Sequence, residues 1–552
     1  MRKTIIYIFL LLASFSLTGC ADMLETEPTI EIDKSVILED VDGAKVALNG
    51  IYSSMYTRID WIQANTHQTF GYMATILCAE VMGEDMIHTA EGAGWFFKDY
   101  SYDMRRRYTS KIWRNYFTWK YFYELISNAN YILSVENTLE GDADKIKDVM
   151  GQAYAIRAYC YFMLAQSFQQ TYKGHETLPG APIYTEPTTS ATEGEERGTL
   201  EKVYLRINED IDSSLKLLGK EDKDGEITGR TQEHISHLDY YAVNLLKARI
   251  ALVQNEWRKA ANAAAIACEK PGTSLLSMTA ATVVKGTFND ASSEWTTGTT
   301  PFNSVASTSV LWGAEVISEQ SRVFGSFYAH MDACTNVYYA AESPKCISNW
   351  LYAQIPVNDI RRGWWNGDIG IPAAKWKYGA NINYNQHKFQ WKNQTSFTGD
   401  YIFMRTEEAY LILAEALCQL EEYQDARDAI MELGSRRDPN YDQRLSKFTD
   451  SNVQSFASVG TLKTLMDEIL LQRRIELWGE AGRIYDILRL AQGWTRYWEV
   501  NGQPSNHTDY LSKYSDYLNF PADYMECIMM IPQAEIDNNP NMSADDQNPY
   551  KE

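Results

Sequence analysis

Apolar positions recur at helical spacing along much of the chain. Trp113, Phe117, Tyr121 and Leu125 form one stripe, Ala153, Ala158, Phe162 and Ala165 a second, and Val203, Ile207, Ile211 and Leu215 a third. Residues three or four apart share a face of a helix, so each stripe predicts an amphipathic helix with one buried side. A further signal occurs twice. Leu245-x-x-Ala248 … Trp257-x-x-Ala260-x-x-Ala263 superposes without a gap on Leu411-x-x-Ala414 … Tyr423-x-x-Ala426-x-x-Ala429. Small residues at helical spacing let one helix lie close on the next, and an aromatic just after the turn fills the space between them.

This is the packing logic of tetratricopeptide-type hairpins, which stack side by side. Between the two copies, from Pro271 to about Asp400, the chain is rich in Gly, Ser, Thr, Asn and aromatics, holds no sustained helical period, and contains short strand-like pieces such as Val310 to Val316. The expected fold is therefore mainly α. Tetratricopeptide-like helical hairpins form a scaffold, with a loop-rich irregular region carrying short strands at about 271–403. Loops on a rigid frame are the usual place for binding.

The N-terminus narrows the location. Arg2 and Lys3 precede an apolar run from Thr4 to Leu17, which reads as an export signal too short to span a bilayer comfortably. It closes on Leu17-Thr18-Gly19-Cys20, the pattern of a bacterial lipobox. Residues 1–19 are thus expected to be a lipoprotein signal peptide, Cys20 the lipidated residue, 20–35 an acidic tether interrupted by Pro28, and 36–552 a single domain. Each buried acyl methylene contributes about 0.8 kcal/mol, so a multiply acylated Cys20 would anchor the chain stably. No later stretch reaches the ~18 consecutive apolar residues of a transmembrane helix. A net charge of −22 supplies no basic stripe to neutralise phosphates, which sets nucleic acid aside. With Cys20 acylated an odd number of cysteines remains, most in apolar helical contexts where Cys behaves as a small hydrophobe; Cys334 and Cys346 are close enough in sequence to be bridged.

Longer motifs follow one another along the chain. Ala47-Leu48-Asn49-Gly50-Ile51-Tyr52, then Trp113 with Asn128-Ala129-Asn130-Tyr131-Ile132-Leu133, then Gln152-Ala153-Tyr154-Ala155-Ile156-Arg157-Ala158-Tyr159 occupy the first part. Met404-Arg405-Thr406-Glu407-Glu408-Ala409-Tyr410 leads into Leu411 to Ala416; Arg473-Arg474-Ile475-Glu476-Leu477, Glu480-Ala481-Gly482-Arg483 and Asp486 come next. The end carries Ile531-Pro532, Glu535-Ile536, Asn539-Pro540-Asn541 and Gln547-Asn548-Pro549-Tyr550. In this order the motifs resemble the SusD/RagB family of outer-membrane nutrient-uptake lipoproteins, over nearly the whole mature chain. Gln472 stands where that family usually has Glu, Ala481 replaces its usual Gly, Ser543 to Asp546 lengthen the last motif, and no Gly precedes Tyr550. Such departures mark a divergent branch, so the substrate class is not inherited. The resemblance implies a non-enzymatic, lipid-anchored protein facing the cell exterior. It would capture oligo- or polysaccharide as a hinged lid over a partner TonB-dependent, SusC-like transporter. One branch of the family implies peptide instead, and a surface glycoside hydrolase is the third class.

Catalytic and cofactor patterns are missing from the sequence. There is no Gly-x-Ser-x-Gly elbow, no His-Glu-x-x-His, no phosphate-cradling glycine loop and no Cys/His zinc spacing. His234 and His237 could share a helix face, but no third ligand accompanies them, and no cofactor or metal is expected. Arg473, Glu476, Glu480, Arg483 and Asp486 fall at helical spacings and read as a ladder of ion pairs on a helix rather than as catalytic carboxylates. A glycosidase pair is defined by distance in space and is invisible at this level.

Binding a sugar needs less. An indole or phenol face buries the C–H patch of the ring, while amide, carboxylate or guanidinium groups bind its hydroxyls. The candidates are aromatics in polar, Gly-containing loops. Trp95 and Phe96 in Gly94-Trp95-Phe96-Phe97-Lys98-Asp99 lead; Tyr338, Tyr339, Trp295, Trp364 and Trp365 follow, with Asn289, Asp290, Arg322 and Asn336 as polar partners. Trp113, Trp119, Trp257, Trp478 and Trp498 lie in helical patterns and are assigned to the core.

Overall fold

A computed structural model describes residues 37–549 apart from 63–64, 93, 103–111, 190, 222–226, 290–293, 297, 333–342, 371–381, 457, 501 and 509–517. The expected signal peptide, Cys20 and the tether lie outside the described residues, as do Asp290, Cys334, Asn336, Tyr338 and Tyr339. Among the described residues no helix is long and apolar enough to cross a membrane.

Each apolar stripe becomes a helix. The first part of the chain forms α1 (Val41–Ser54), α2 (Tyr72–Met82), α3 (Trp113–Leu133), α4 (Ala143–Phe168) and α5 (Leu200–Leu218). Side-chain caps set several starts: Asp40 accepts from Gly43 N, Asp142 from Asp144 N and Lys145 N, and Thr199 from Lys202 N. Such caps satisfy amides that the first turn leaves without a partner. α3 and α5 both pack on α4. Phe117, Tyr121 and Leu125 are buried with Ala153, Ala158, Phe162 and Ala165, and so are Val203, Ile207 and Ile211. α4 is therefore apolar on nearly every side from Val149 onward, as a helix clasped between two others must be.

The two-copy sequence signal proves to be two copies of one turn. α6 (Tyr240–Val253) and α7 (Trp257–Cys268) form the first hairpin, α8 (Thr406–Gln419) and α9 (Tyr423–Gly434) the second. Asn255 and Glu421 occupy the same place with φ of 59° and 62°. Glu256 N donates to Ala251 O as Glu422 N donates to Leu417 O, both at 2.9 Å. Ala248, Ala260, Ala414 and Ala426 are wholly buried. α7 also packs directly on α8, and Arg258 pairs with Glu422 across the two turns. The helical array is thus continuous in space although a long insert separates the hairpins in sequence.

That insert is anchored at both ends by short strands: β1 (Met86–His88), β2 (Val310–Ala314), β3 (Lys345–Ile347) and β4 (Tyr401–Arg405). β2 runs antiparallel to β4, with Val310 opposite Arg405 and Ala314 opposite Tyr401, and β4 leads straight into α8. β1 and β3 pair antiparallel, with His88 opposite Lys345, which ties the insert to the segment after α2.

The charged motif departs from the expected ladder. α10 (Leu465–Glu476) ends at Glu476, Gly479 and Gly482 take φ of 81° and 73°, and α11 (Arg483–Arg489) begins a new direction. Helical spacing does not persist across that break, so the side chains reach other elements instead. Glu476 is surrounded by Arg437 at 2.9 Å and by Arg361 and Arg405 at 3.3 Å each. Glu480 holds Arg405 at 2.6 Å and Lys388; Arg483 pairs with Glu84 at 2.7 Å and Arg474 with Asp85 at 2.6 Å. Within the set, Arg473 meets Asp486 at 2.8 Å. Burial acts to raise the Glu476 carboxyl, yet the guanidiniums of Arg437, Arg405 and Arg361 outweigh it and hold the group well below the usual carboxylate range. This joint locks the insert, through Arg361 and Lys388, onto α10 and the turn that follows it.

Candidate functional site

An aromatic cluster around Trp95 reaches solvent, and loops rather than long helices supply it. Trp95 lies just before a short helical turn, Phe97–Tyr100, and is half-buried. His67 sits on a single turn, Thr66–Gln68, and meets the Trp95 ring edge-on at 5.1 Å. Phe324, 46% exposed, meets His67 edge-on at 6.4 Å from the insert side.

The support behind these rings is polar and dense. Phe96 N donates to Gln68 Oε1 at 2.8 Å, and Arg114 on α3 donates from Nη2 to the same oxygen and to Asp99 Oδ2, both at 2.9 Å. His88 Nε2 donates to Trp95 O at 2.9 Å, and His330 Nε2 donates to His67 O at 2.7 Å. Burial, helped by Lys345, holds the His330 imidazole down at about 3, and burial with Arg58 lowers His67. Both rings are neutral near pH 7 and act as walls rather than as acids. Arg58 pairs with Asp60 at 2.7 Å and reaches Phe324 O at 3.4 Å, while Arg322 is exposed two residues from Phe324. The surface therefore offers ring faces beside guanidinium and carboxylate groups, a combination that buries C–H bonds and binds hydroxyls.

Of the sequence candidates, Trp95 lies at this surface, where His67 stands between it and Phe324, and Arg322 is exposed two residues from Phe324 in the same loop. Three others require correction. Phe96 is fully buried, packed against His330 at 4.9 Å and under the Arg114 guanidinium. Trp364 and Trp365 are fully buried as well; Trp364 Nε1 donates to Ala281 O at 2.8 Å, and Trp365 packs edge-on against Trp478. The insert folds over its own aromatics and builds a core without helical period, so a polar loop context did not mean an accessible ring. Asn289 and Trp295 lie on the two strands of a hairpin, Thr287–Asn289 with Glu294–Thr296, where Phe288 is opposite Trp295. Of the tryptophans assigned to the core, Trp119, Trp478 and Trp498 are buried, whereas Trp113 and Trp257 are partly so. His67 and Phe324 were missed. Phe324 stands in Ser321-Arg322-Val323-Phe324-Gly325, a polar loop of the kind that singled out Trp95; His67 carried no such signal.

The remaining candidate chemistry is structural. His237 bonds Asn49 Oδ1 at 2.8 Å and stacks on Tyr52, and burial lowers it to about 4. Cys346 is a buried free thiol. Among the described residues no three His, Cys, Asp or Glu side chains gather as a metal site.

Residues 39–233 match a family model described as SusD-like, starch-binding, associating with the outer membrane, and residues 356–550 match the SusD family model; together these cover well over half of the chain. The chain belongs to the SusD family. SusD-like proteins form a carbohydrate-binding, outer-membrane-associated family. A SusD-like carbohydrate-binding protein from Bacteroides vulgatus is 21% identical, with a TM-score of 0.69 over 93% of this chain and 99% of its own. A SusD superfamily protein from Bacteroides thetaiotaomicron is 20% identical, with a TM-score of 0.69 over 92% and 100%. A laminarin-binding SusD-like protein is 16% identical, with a TM-score of 0.59 over 93% and 99%. At these identities the likeness is one of fold. No curated protein matches the sequence.

Proposed function

We propose that this protein is a non-enzymatic, lipid-anchored surface lipoprotein. It captures oligo- or polysaccharide and passes it to a partner TonB-dependent, SusC-like transporter. The observation that carries the reading is the Trp95 surface: a partly buried indole at the surface, flanked by His67 and Phe324, on a base locked by Gln68, Arg114 and His330 in a carbohydrate-binding family. A rigid base matters because a ring already in place spends little conformational entropy when a sugar arrives. The lipobox ending at Cys20 supports attachment to the membrane, and retention of a ligand beside a pore raises its effective concentration even when affinity is modest.

Trp95→Ala tests the reading. Loss of a stacking face is expected to weaken binding of the cognate glycan, identified on a glycan array, by about tenfold in calorimetric titration, with the melting temperature unchanged. Unchanged affinity removes Trp95 from the site; a blank glycan array beside a positive peptide library replaces the ligand class.

A further inference from the structure

A groove of about 380 Å³ opens between α3, a wall of Tyr184, Thr188, Thr189, Thr192 and Glu193, and the C-terminal helix Gln533–Asn538. Its α3 wall carries Tyr116, Trp119, Lys120 and Tyr123, which are three or four residues apart and share one face. The rings fall into two groups, and Trp119 is buried behind the partly exposed Tyr123 and Tyr184. Trp119 lies 5.0 Å from Tyr123, and Tyr123 meets Tyr184 edge-on at 5.8 Å. At the other end Trp61 meets Tyr116 edge-on at 6.3 Å. Two of these rings are fixed by their polar ends: Tyr123 Oη donates to Pro182 O at 2.7 Å and Trp119 Nε1 to Glu535 Oε2 at 3.2 Å. Tyr116 remains 38% exposed. Thr188, Thr189 and Thr192 line the opposite side, with Thr188 Oγ1 bonded to Ser127 and Thr192 Oγ1 accepting from Thr189 N.

The charges narrow the ligand. Lys120 already meets Glu124 at 3.5 Å and lies over the Trp61 ring, while Glu193 and Glu535 add carboxylates to the lining. An anionic ligand would face both carboxylates with the lysine engaged elsewhere. A neutral sugar would instead bury its C–H face on the exposed Tyr116 and the partly buried Tyr123 and Tyr184, and present hydroxyls to Glu193 and to Glu535, whose carboxylate already accepts from Trp119 and Asn539. The volume falls in the range of about 300–1,000 Å³ usual for small-ligand sites.

We propose that this groove is a second subsite for neutral glycan, separate from the Trp95 surface; the ligand class rests on the carbohydrate reading above. The loop between α1 and α2 serves both places: Arg58 and His67 belong to the Trp95 surface, and Trp61 borders the groove. A polysaccharide long enough to touch both would be held more firmly than by either.

The test is affinity electrophoresis of the intact chain through gels containing laminarin, amylopectin, xylan or polygalacturonate. Two variants probe the groove. Tyr116→Ala removes an exposed ring, and Ala534→Trp fills the cavity from an exposed position on the C-terminal helix. Both are expected to weaken retention on at least one neutral polysaccharide by about fivefold with the melting temperature unchanged. Retention of the wild-type protein by none of the neutral gels overturns the subsite, as does retention that neither variant alters. Groove-dependent retention by polygalacturonate overturns the assignment to neutral glycan. Trp95→Ala, run beside them, separates the two claims: if it alone abolishes retention, the Trp95 surface stands and the groove falls. If the groove variants alone lose retention, the opposite holds.

Discussion

In the hairpin repeat α6–α9, helices meet through Ala248, Ala260, Ala414 and Ala426, whose short side chains bring backbones close together. In the joint around Glu476, contact is made by Arg361, Arg405 and Arg437 converging on one buried carboxylate. The first region depends on shape, because the small side chains set how closely the helices approach. The second depends on charge balance, because each ion there has left water and is stable only while its partners stay in place. Ion pairs also cross the array, Arg249 with Glu408 at 2.6 Å and Arg258 with Glu422, but there they flank an alanine-packed interface, whereas in the joint the ions themselves fill the contact.

The largest expected effect lies in the joint. Glu476→Ala would leave the Arg361, Arg405 and Arg437 guanidiniums sharing fewer carboxylates in a site closed to water, which should cost about 3–5 kcal/mol and lower the melting temperature or prevent folding. A melting temperature within a degree of wild type would erase the distinction between the two regions.

A smaller effect separates them by pH. His387, in the insert beside the joint, bonds Asn366 Oδ1 at 3.0 Å, and burial, with Lys285, depresses it to about 3. The folded imidazole is neutral where the unfolded one, with an ordinary value near 6.5, takes up a proton. Its contribution is therefore complete above about pH 6.5 and is lost as pH falls towards 3, at about 1.4 kcal/mol per unit. α6–α9 contain no histidine. Melting temperatures recorded from pH 7 to 4 should fall less steeply in His387→Asn than in wild type; parallel curves would place the acid sensitivity elsewhere.

The smallest effect sharpens the repeat itself. Asn255 and Glu421 both hold left-handed backbone, which costs Glu more than Asn. Glu421→Gly should stabilise by up to about 1 kcal/mol and Asn255→Gly by less, read from chemical denaturation. Equal gains would show that the two turns are not under the same strain.

Much of the scaffold was legible because helical periodicity and small-residue spacing are local. Leu245 to Ala263 and Leu411 to Ala429 declared their hairpins, and Val310 to Val316 its strand, found at Val310–Ala314. The charged motif was legible as structural but misplaced, since Gly479 and Gly482 redirect the chain between Glu476 and Arg483. The site was legible in part. Trp95 is partly exposed and Arg322 exposed, whereas Trp364, Trp365 and Phe96 share the same polar-loop context and are buried.

The sequence by itself determined the helical hairpins, the family, and the kind of surface to look for, because each depends on residues near one another in the chain. Which rings face solvent, which arginines share Glu476, and how Trp61 and Tyr116 come to border a groove were decided only by tertiary structure. Those outcomes depend on long-range packing of the insert and the C-terminal segment, and nothing in a local pattern encodes how much water a side chain will lose when distant segments close over it.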